Sequence, residues 1–320
     1  MSHSPIPLIV LGGRDRHTTV LPKQGEGKHL LKGYKAVDFR INDRPMIHLL
    51  VDRMKACGRF DPILIAGPKA IYDPLDTGAE VVDTDGDFGQ NIRAGVEAAM
   101  ARYPSQQIAV VTCDVLPEEA ELRALLEDFE SHQPCDFWMP QFRAPANADK
   151  LGASQWKPRY RIAPEEGLEP VETLPGHLLI VDPQATRLEL VYFLFELSYR
   201  TRNRSILQRR AIIARHAMSA LIKHDLRLLL AGELPTVTWD IVTNGLAIAK
   251  RLRSGRVSAP ELARRVSRIY IHRRHRKAHP ERQGRFPVLE GLSLAKDIDT
   301  AEEANEAARL LEQRGRKEVP

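Results

Sequence analysis

Four groups of residues in this chain have types and spacings that could do chemistry. Asp297 and Asp299 flank Ile298, and in an extended segment a spacing of two puts both carboxylates on one face. Two like charges side by side repel, so a cation or a basic neighbour is expected beside them. The bland alternative is one solvated aspartate and one that caps a helix. Asp114 closes the apolar run 108–114 (IAVVTCD), where a carboxylate is placed either to reach a metal ion or to cap the helix that follows. Leu11-Gly12-Gly13-Arg14 follows another apolar run. Glycines there let the backbone approach a ligand and present N–H donors, or simply turn the chain. Lys35, in Tyr34-Lys35-Ala36, could pair with phosphate as a point charge, or stand in solvent as most lysines do. Strand-end carboxylates, a phosphate-facing cation and a glycine turn are the minimum for neutralising a polyphosphate and holding nucleophile and leaving group in line. Mg²⁺ suits such a set because it prefers hard oxygen ligands.

Strands and helices must bring these positions together. Residues 7–11 (PLIVL), 62–67 (PILIAG) and 108–114 read as strands apolar on both faces. Ile47, Leu50, Val51 and Met54 recur at i, i+3, i+4 and i+7 and predict a helix. Residues 91–103 predict another, with Ile92, Val96, Ala99 and Tyr103 on one face. Apolar strands separated by helices imply a Rossmann-like α/β fold, a mostly parallel sheet with helices on both faces. Ligands of such sheets bind beyond the carboxyl ends of the strands, where residues 11–14 and Asp114 stand. From 187 to 285 the pattern turns helical, rich in Leu, Ile and Arg, which predicts an inserted helical subdomain. The parent domain then comprises 1–186 and 286–320. Residues 286–294 resemble a short strand returning to the sheet. Thr300-x-x-Glu303 is a capping box that opens a last helix, with Ala304, Ala307, Ala308 and Leu311 as its core face.

The 320 residues are 43% apolar and 28% charged, with a net charge of +5. That is enough for a real core in about two domains, or one large domain with an insertion, and it favours anionic partners. Cys57, Cys113 and Cys135 form no CxxC pair. They fit a reducing compartment and argue against a disulfide framework or a cysteine-based zinc site. The start of the chain has no basic leader, and no apolar run reaches the ~18 residues of a membrane span, so the expected location is cytoplasmic. Residues 188–197 (LELVYFLFEL) are unusually apolar and precede Arg200, Arg202 and Arg204, while 264–285 is a basic tract. Either these are a buried helix and solvated charges, or 188–204 and 264–285 touch an anionic membrane surface. The basic tract also admits nucleic acid as a rival partner, although it lacks stacking aromatics beyond Tyr270 and fits no recognition motif.

Taken in order, the motifs resemble those of the molybdenum-cofactor guanylyltransferase-like (MobA-like) NTP transferases. In that family a strand and a Gly-Gly loop lead to a Lys-Ala-Leu-like stretch and then to Gly-(Arg/Lys)-Pro-(Met/Leu)-Ile. Here the stretch reads Lys35-Ala36-Val37 and then Asp43-Arg44-Pro45-Met46-Ile47. The family's Asn before an Arg-Ala-Gly-(Leu/Val)-Glu-Ala helix is matched by Asn91-Ile92-Arg93-Ala94-Gly95-Val96-Glu97-Ala98. Its Thr-x-Asp-x-Pro strand end is matched by Thr112-Cys113-Asp114-Val115-Leu116-Pro117, and its closing Asp-(Ile/Val)-Asp-Thr by Asp297-Ile298-Asp299-Thr300.

The resemblance covers about 6–185 and 286–314. It implies a fold of the nucleotide-diphospho-sugar transferase type. It also implies Mg²⁺-dependent transfer of a nucleoside monophosphate from an NTP, GTP or CTP, to a phosphorylated small-molecule acceptor, with release of pyrophosphate. By the same resemblance Leu11, Gly12, Gly13, Arg14, Lys35, Asn91 and Gly95 bind nucleotide, with Lys35 on the triphosphate and Asn91 on base or ribose. Lys35 and Asp114 are then catalytic, and Asp114, Asp297 and Asp299 hold the metal. Residues 175–181 resemble the family's acceptor-side Gly-Gly-Asn segment, with Pro175 and His177 in place of Gly and Asn, so His177 is either an acceptor ligand or a strand-start histidine. The first loop departs from the family pattern and offers Arg14, Arg16, Lys23 and Lys28 to cover phosphates. The alternative function on the same fold is a catalytically silent nucleotide binder.

Overall fold

The computed structural model describes residues 4–14, 33–147, 149–152, 159–201, 219, 221–222, 225–226, 229–230, 237–300 and 302–309. The chain runs β1 (Ile6–Leu11), α1 (Lys35–Asp38), the hairpin strands β2 (Arg40–Ile41) and β3 (Arg44–Pro45), α2 (Met46–Ala56), β4 (Phe60–Gly67), α3 (Lys69–Tyr72), β5 (Glu80–Asp83), α4 (Phe88–Arg102), β6 (Ile108–Thr112) and α5 (Glu119–Ser131). There follow β7 (Phe137–Trp138), β8 (Gln141–Arg143), β9 (Tyr160–Ala163), β10 (Val171–Pro175), β11 (Leu178–Val181), α6 (Leu188–Thr201), α7 (Val237–Ser254), β12 (Val257–Ser258), α8 (Ala259–Tyr270), α9 (Arg273–Ala278) and β13 (Val288–Leu289). Residues 302–309 are helical.

The main sheet has the order β5-β4-β1-β6-β11-β7. Strands β5, β4, β1 and β6 are mutually parallel, and β11 runs antiparallel to β6 and β7. The period of two along a strand decides what each residue covers. Leu8 and Val10 of β1 join one core with Met46, Ile47, Leu50 and Met54 of α2. Ile9 and Leu11 join the opposite core with Ile92, Val96 and Ala99 of α4. All six residues of β1 are buried, as a strand covered by helices on both faces requires. Between β2 and β3, Asn42 and Asp43 turn the chain at φ 51° and 61°, the left-handed region that Asn and Asp tolerate best after glycine. Asp43 thereby serves where the resembled family has glycine.

A second sheet, β12-β9-β10-β8-β13, corrects two expectations. Residues 286–294 do not rejoin the main sheet. Only Val288–Leu289 is a strand, and it pairs parallel with β8 in the second sheet. Pro287 before it cannot donate a ladder hydrogen bond, and Gly291 beyond it turns at φ +106°. Segment 187–285 is not purely helical either, because Val257–Ser258 pairs with β9. Its Val257, Leu262, Ala263 and Ile271 share a core with Phe137, Ile162 and Val181.

The apolar run 188–197 is α6, which lies on α4. Leu188 and Tyr192 pack into the α4 core, and the Phe88 and Phe195 rings meet at 5.6 Å. The Arg93 guanidinium sits 4.5 Å from the Tyr192 ring centroid and grips Glu189 with bonds of 3.0 and 2.7 Å. One side of α6 is thus packed on α4, while Phe195 stays 37% exposed. The basic tract 264–285 also turns partly inward. Arg264 pairs with Glu166, Arg265 with Glu261, Arg276 with Asp240, and Arg282 with Asp136 and Asp182. Among the described residues no helix is long and apolar enough to cross a membrane.

Candidate active site

The carboxyl ends of β1 and β6 lie side by side, with Leu11 registered opposite Thr112. Beyond them Leu11, Gly13, Arg14, Lys35, Asn91 and Asp114 line one cleft. Asp114 stands two residues past the end of β6, and its carbonyl accepts the Ile298 N–H at 2.7 Å. That single backbone bond pins the segment carrying Asp297 and Asp299 against Asp114. The three carboxylates then offer oxygens within 4.8 Å of one another. Asp297 and Asp299 are 6% and 4% exposed.

The end of the last helix holds this carboxylate loop in place. Glu303 accepts from the N–H groups of Asp299 and Thr300 and from the Thr300 hydroxyl at 3.0–3.1 Å. The Glu303 N–H in turn donates to Thr300 Oγ1 at 3.3 Å. This is the capping box read from the sequence, with the bond to Asp299 added. Leu311, expected on the same helix, lies outside the described residues.

Lys35 opens α1 and donates from Nζ to Asp299 Oδ1 at 2.5 Å. Burial, then the neighbouring Asp297 charge, push the Asp299 carboxyl up to about 6, against the pull of Lys35. Asp114 Oδ1 is buried and has no hydrogen-bond partner among the described residues. A buried, unpaired carboxylate oxygen is costly, and a hard divalent cation shared with Asp297 and Asp299 would offset that cost. The residues present fit Mg²⁺ by donor type and by this orphaned oxygen. His177 begins β11 and also faces the cluster. Its Nδ1 shares a 2.7 Å hydrogen bond with Thr112 Oγ1 and lies 3.9 Å from Asp114 Oδ1.

The two glycines are required for space. A Cβ on Gly12 would lie 2.7 Å from the Tyr72 ring, and one on Gly13 would lie 2.4 Å from Asn91 Nδ2. Gly12 is tied down on both sides: its N–H donates to Ala66 O at 2.9 Å and its carbonyl accepts from the buried Tyr72 hydroxyl at 2.8 Å. Its amide is thus already donated within the sheet, whereas Gly13 and Arg14 face the cleft. Asn91 Oδ1 accepts from Thr84 Oγ1 at 2.9 Å and Gly86 N at 3.1 Å, so its amide NH₂ is turned toward Gly13. Arg14 and Tyr34 both bond Asp85, at 3.2 and 3.1 Å, and form a polar bracket.

The structure brings most of the expected residues together. Gly95 is elsewhere, buried where α4 meets the sheet; a Cβ there would lie 2.6 Å from Ile9 Cγ2. Arg16, Lys23 and Lys28 lie outside the described residues. Tyr72, Thr84 and Asp85 were not singled out from sequence. Each acts across a gap in the chain on a residue that was, and no local spacing marks such a partner. Cys113 also lines the cleft, but burial pushes its thiol up to about 12, so it is inert as a nucleophile.

A family model described as a MobA-like NTP transferase domain matches residues 35–318. No curated protein matches the chain. Among solved structures, a CMP:2-keto-3-deoxy-manno-octonic acid synthetase complexed with CTP is similar at 10% identity and a TM-score of 0.47, over 97% of this chain and 100% of that one. A 4-diphosphocytidyl-2C-methyl-D-erythritol synthase from Anaerococcus prevotii gives 10% identity and 0.44, over 97% and 99%. HddC from Yersinia pseudotuberculosis complexed with GMP-PN gives 11% and 0.38, over 58% and 79%. Likeness at this level fixes neither substrate nor mechanism.

Proposed function

The chain belongs to the MobA-like NTP transferase family, and we propose that it is a Mg²⁺-dependent nucleotidyltransferase of the cytoplasm, moving a nucleoside monophosphate from GTP or CTP to a phosphorylated small molecule. One observation carries this reading. An ammonium and three carboxylates from three separate stretches of chain converge beside a glycine turn at the carboxyl ends of parallel strands. Pyrophosphate leaves when the acceptor phosphate attacks the α-phosphorus, so charge must be neutralised on both sides of that atom. Asp114, Asp297 and Asp299 would hold Mg²⁺, which supplies neutralisation of phosphate oxygens. Lys35 and Arg14 meet the triphosphate from the side of the glycine turn. Gly13, held open by the oriented Asn91 amide, lets the nucleotide approach the backbone. Gly12 and Gly95 support that loop and helix from behind. His177, beside Asp114, is placed to hydrogen-bond the acceptor phosphate. In this reading 187–285 is an insertion in the transferase domain. The free cysteines Cys57, Cys113 and Cys135, buried or half-buried, suit a reducing compartment.

The test is a thermal-shift series with the four NTPs, with and without Mg²⁺, on the wild type and on Asp114→Asn. A ligand that binds the native state raises the melting temperature by mass action. GTP or CTP is expected to raise it only with Mg²⁺. Asp114→Asn, which keeps the backbone bond to Ile298, is expected to melt normally alone and to lose the Mg²⁺-dependent rise. No Mg²⁺-dependent shift with any NTP would overturn the proposal.

A further inference from the structure

Lys35 and the carboxylates are in contact with each other. Lys35 Nζ lies 2.5 Å from Asp299 Oδ1, and both side chains are well buried, 15% and 6% exposed. Asp299 Oδ1 belongs to the same cluster whose oxygens lie within 4.8 Å of one another. An ammonium at that distance already neutralises about one of the three negative charges, and Coulomb repulsion between it and a dication in the same cluster is not screened by bulk water. The two cations therefore compete for the same carboxylates. A lysine can resolve that competition by moving. It is a compact charge on a flexible four-carbon stem, and Lys35 begins a four-residue helix preceded by Gly33 at φ +90°. A triphosphate arriving at Gly13 and Arg14 offers the ammonium oxygens of higher charge.

We propose that Lys35 is a built-in counterion that makes the metal site nucleotide-dependent. It occupies Asp299 until a polyphosphate takes the ammonium, and the carboxylates bind the metal at full strength only then. This deepens the transferase reading and rests on it. Linkage makes the effect reciprocal: by whatever factor the nucleotide tightens the metal, the metal tightens the nucleotide. Metal alone then binds weakly, and the intact metal–NTP complex is the favoured ligand.

The experiment titrates Mn²⁺ alone, followed by electron paramagnetic resonance, into wild type, Lys35→Met and Lys35→Arg. It is done at pH 8.5, where protons do not replace the lysine on a carboxyl whose value is about 6. Lys35→Met is expected to bind Mn²⁺ about tenfold tighter than wild type, since a repelling charge near the site is gone. Lys35→Arg keeps the charge and should match wild type. In all three backgrounds Asp114→Asn should abolish the binding. Equal or weaker Mn²⁺ binding by a folded Lys35→Met, with Asp114→Asn still abolishing it, overturns the counterion role and leaves the transferase reading standing. Mn²⁺ binding that survives Asp114→Asn, or is absent from all variants at millimolar metal, overturns both.

Discussion

Asp299 is a carboxyl whose proton is held more tightly in the folded chain than in the unfolded one, and this has a measurable sign. Its ordinary value of 3.8 rises to about 6, chiefly through burial and then through Asp297. The folded state therefore binds more protons than the unfolded state between those values. The stabilising contribution of the protonated form is complete below pH 4, is lost between about 4 and 6, and is absent above. Asp299→Asn cannot titrate. Relative to that variant, the metal-free wild type should lose on the order of 2–3 kcal/mol of stability between pH 4 and pH 7. Urea denaturation of both proteins across that range checks it, and parallel pH profiles would show that Asp299 is not perturbed in this way. A metal ion bound by the cluster should reverse the trend, because it favours the ionised carboxylate that burial disfavours.

At the scale of elements, the last helix matters to the site through its first turn. Glu303 is 6% exposed and satisfies three donors, one of them the Asp299 N–H. Glu303→Ala should cost about 1–2 kcal/mol, the usual loss of a good cap. It should also weaken the Mg²⁺-dependent nucleotide shift, because the loop between the Ile298–Asp114 bond and the helix loses an anchor. A variant with an unaltered shift would confine Glu303 to helix stability. This cap was legible because a capping box is a local pattern of four residues. So were β1, α2, α4 and β6, whose apolar periods of 2 and 3.6 are also local. Without the resemblance, the carboxylate loop was legible as a like-charge pair needing a cation or a basic neighbour, and Lys35 stands as that neighbour. What sequence spacing could not show is the second sheet. Its strands β8, β9, β10, β12 and β13 are two to five residues long, too short for alternation to stand out, and their pairings join residues as far apart as Gln141 and Val288. Nor could it show Tyr72, whose hydroxyl reaches the Gly12 carbonyl across 60 positions.

At the scale of the whole molecule, the segment 187–285 is joined to the parent sheet by charge as well as by apolar packing. Arg282 donates from Nε to Asp136 at 3.0 Å and from its terminal nitrogen to Asp182 at 2.6 Å, and His275 of α9 bonds Asp136 at 2.9 Å. Asp136 has 0% exposure, and burial raises its carboxyl above the ordinary range despite His275 and Arg282. The partners lie 100 or more residues apart, so the sequence shows only a basic tract, whereas the fold turns one of its arginines into a clamp. A carboxylate so deeply buried is tolerated only while it is paired, and removing one partner leaves charge that water cannot reach. Arg282→Met should therefore destabilise the protein by on the order of 3 kcal/mol at neutral pH. The double variant Arg282→Met/Asp136→Asn should recover part of that loss, since an amide at position 136 carries no charge to leave unpaired. Denaturant melts of the single and double variants decide it: a single variant as stable as wild type at pH 7.5 would mean that the apolar core of Val257, Leu262 and Ile271 against Ile162 and Val181 holds this segment unaided.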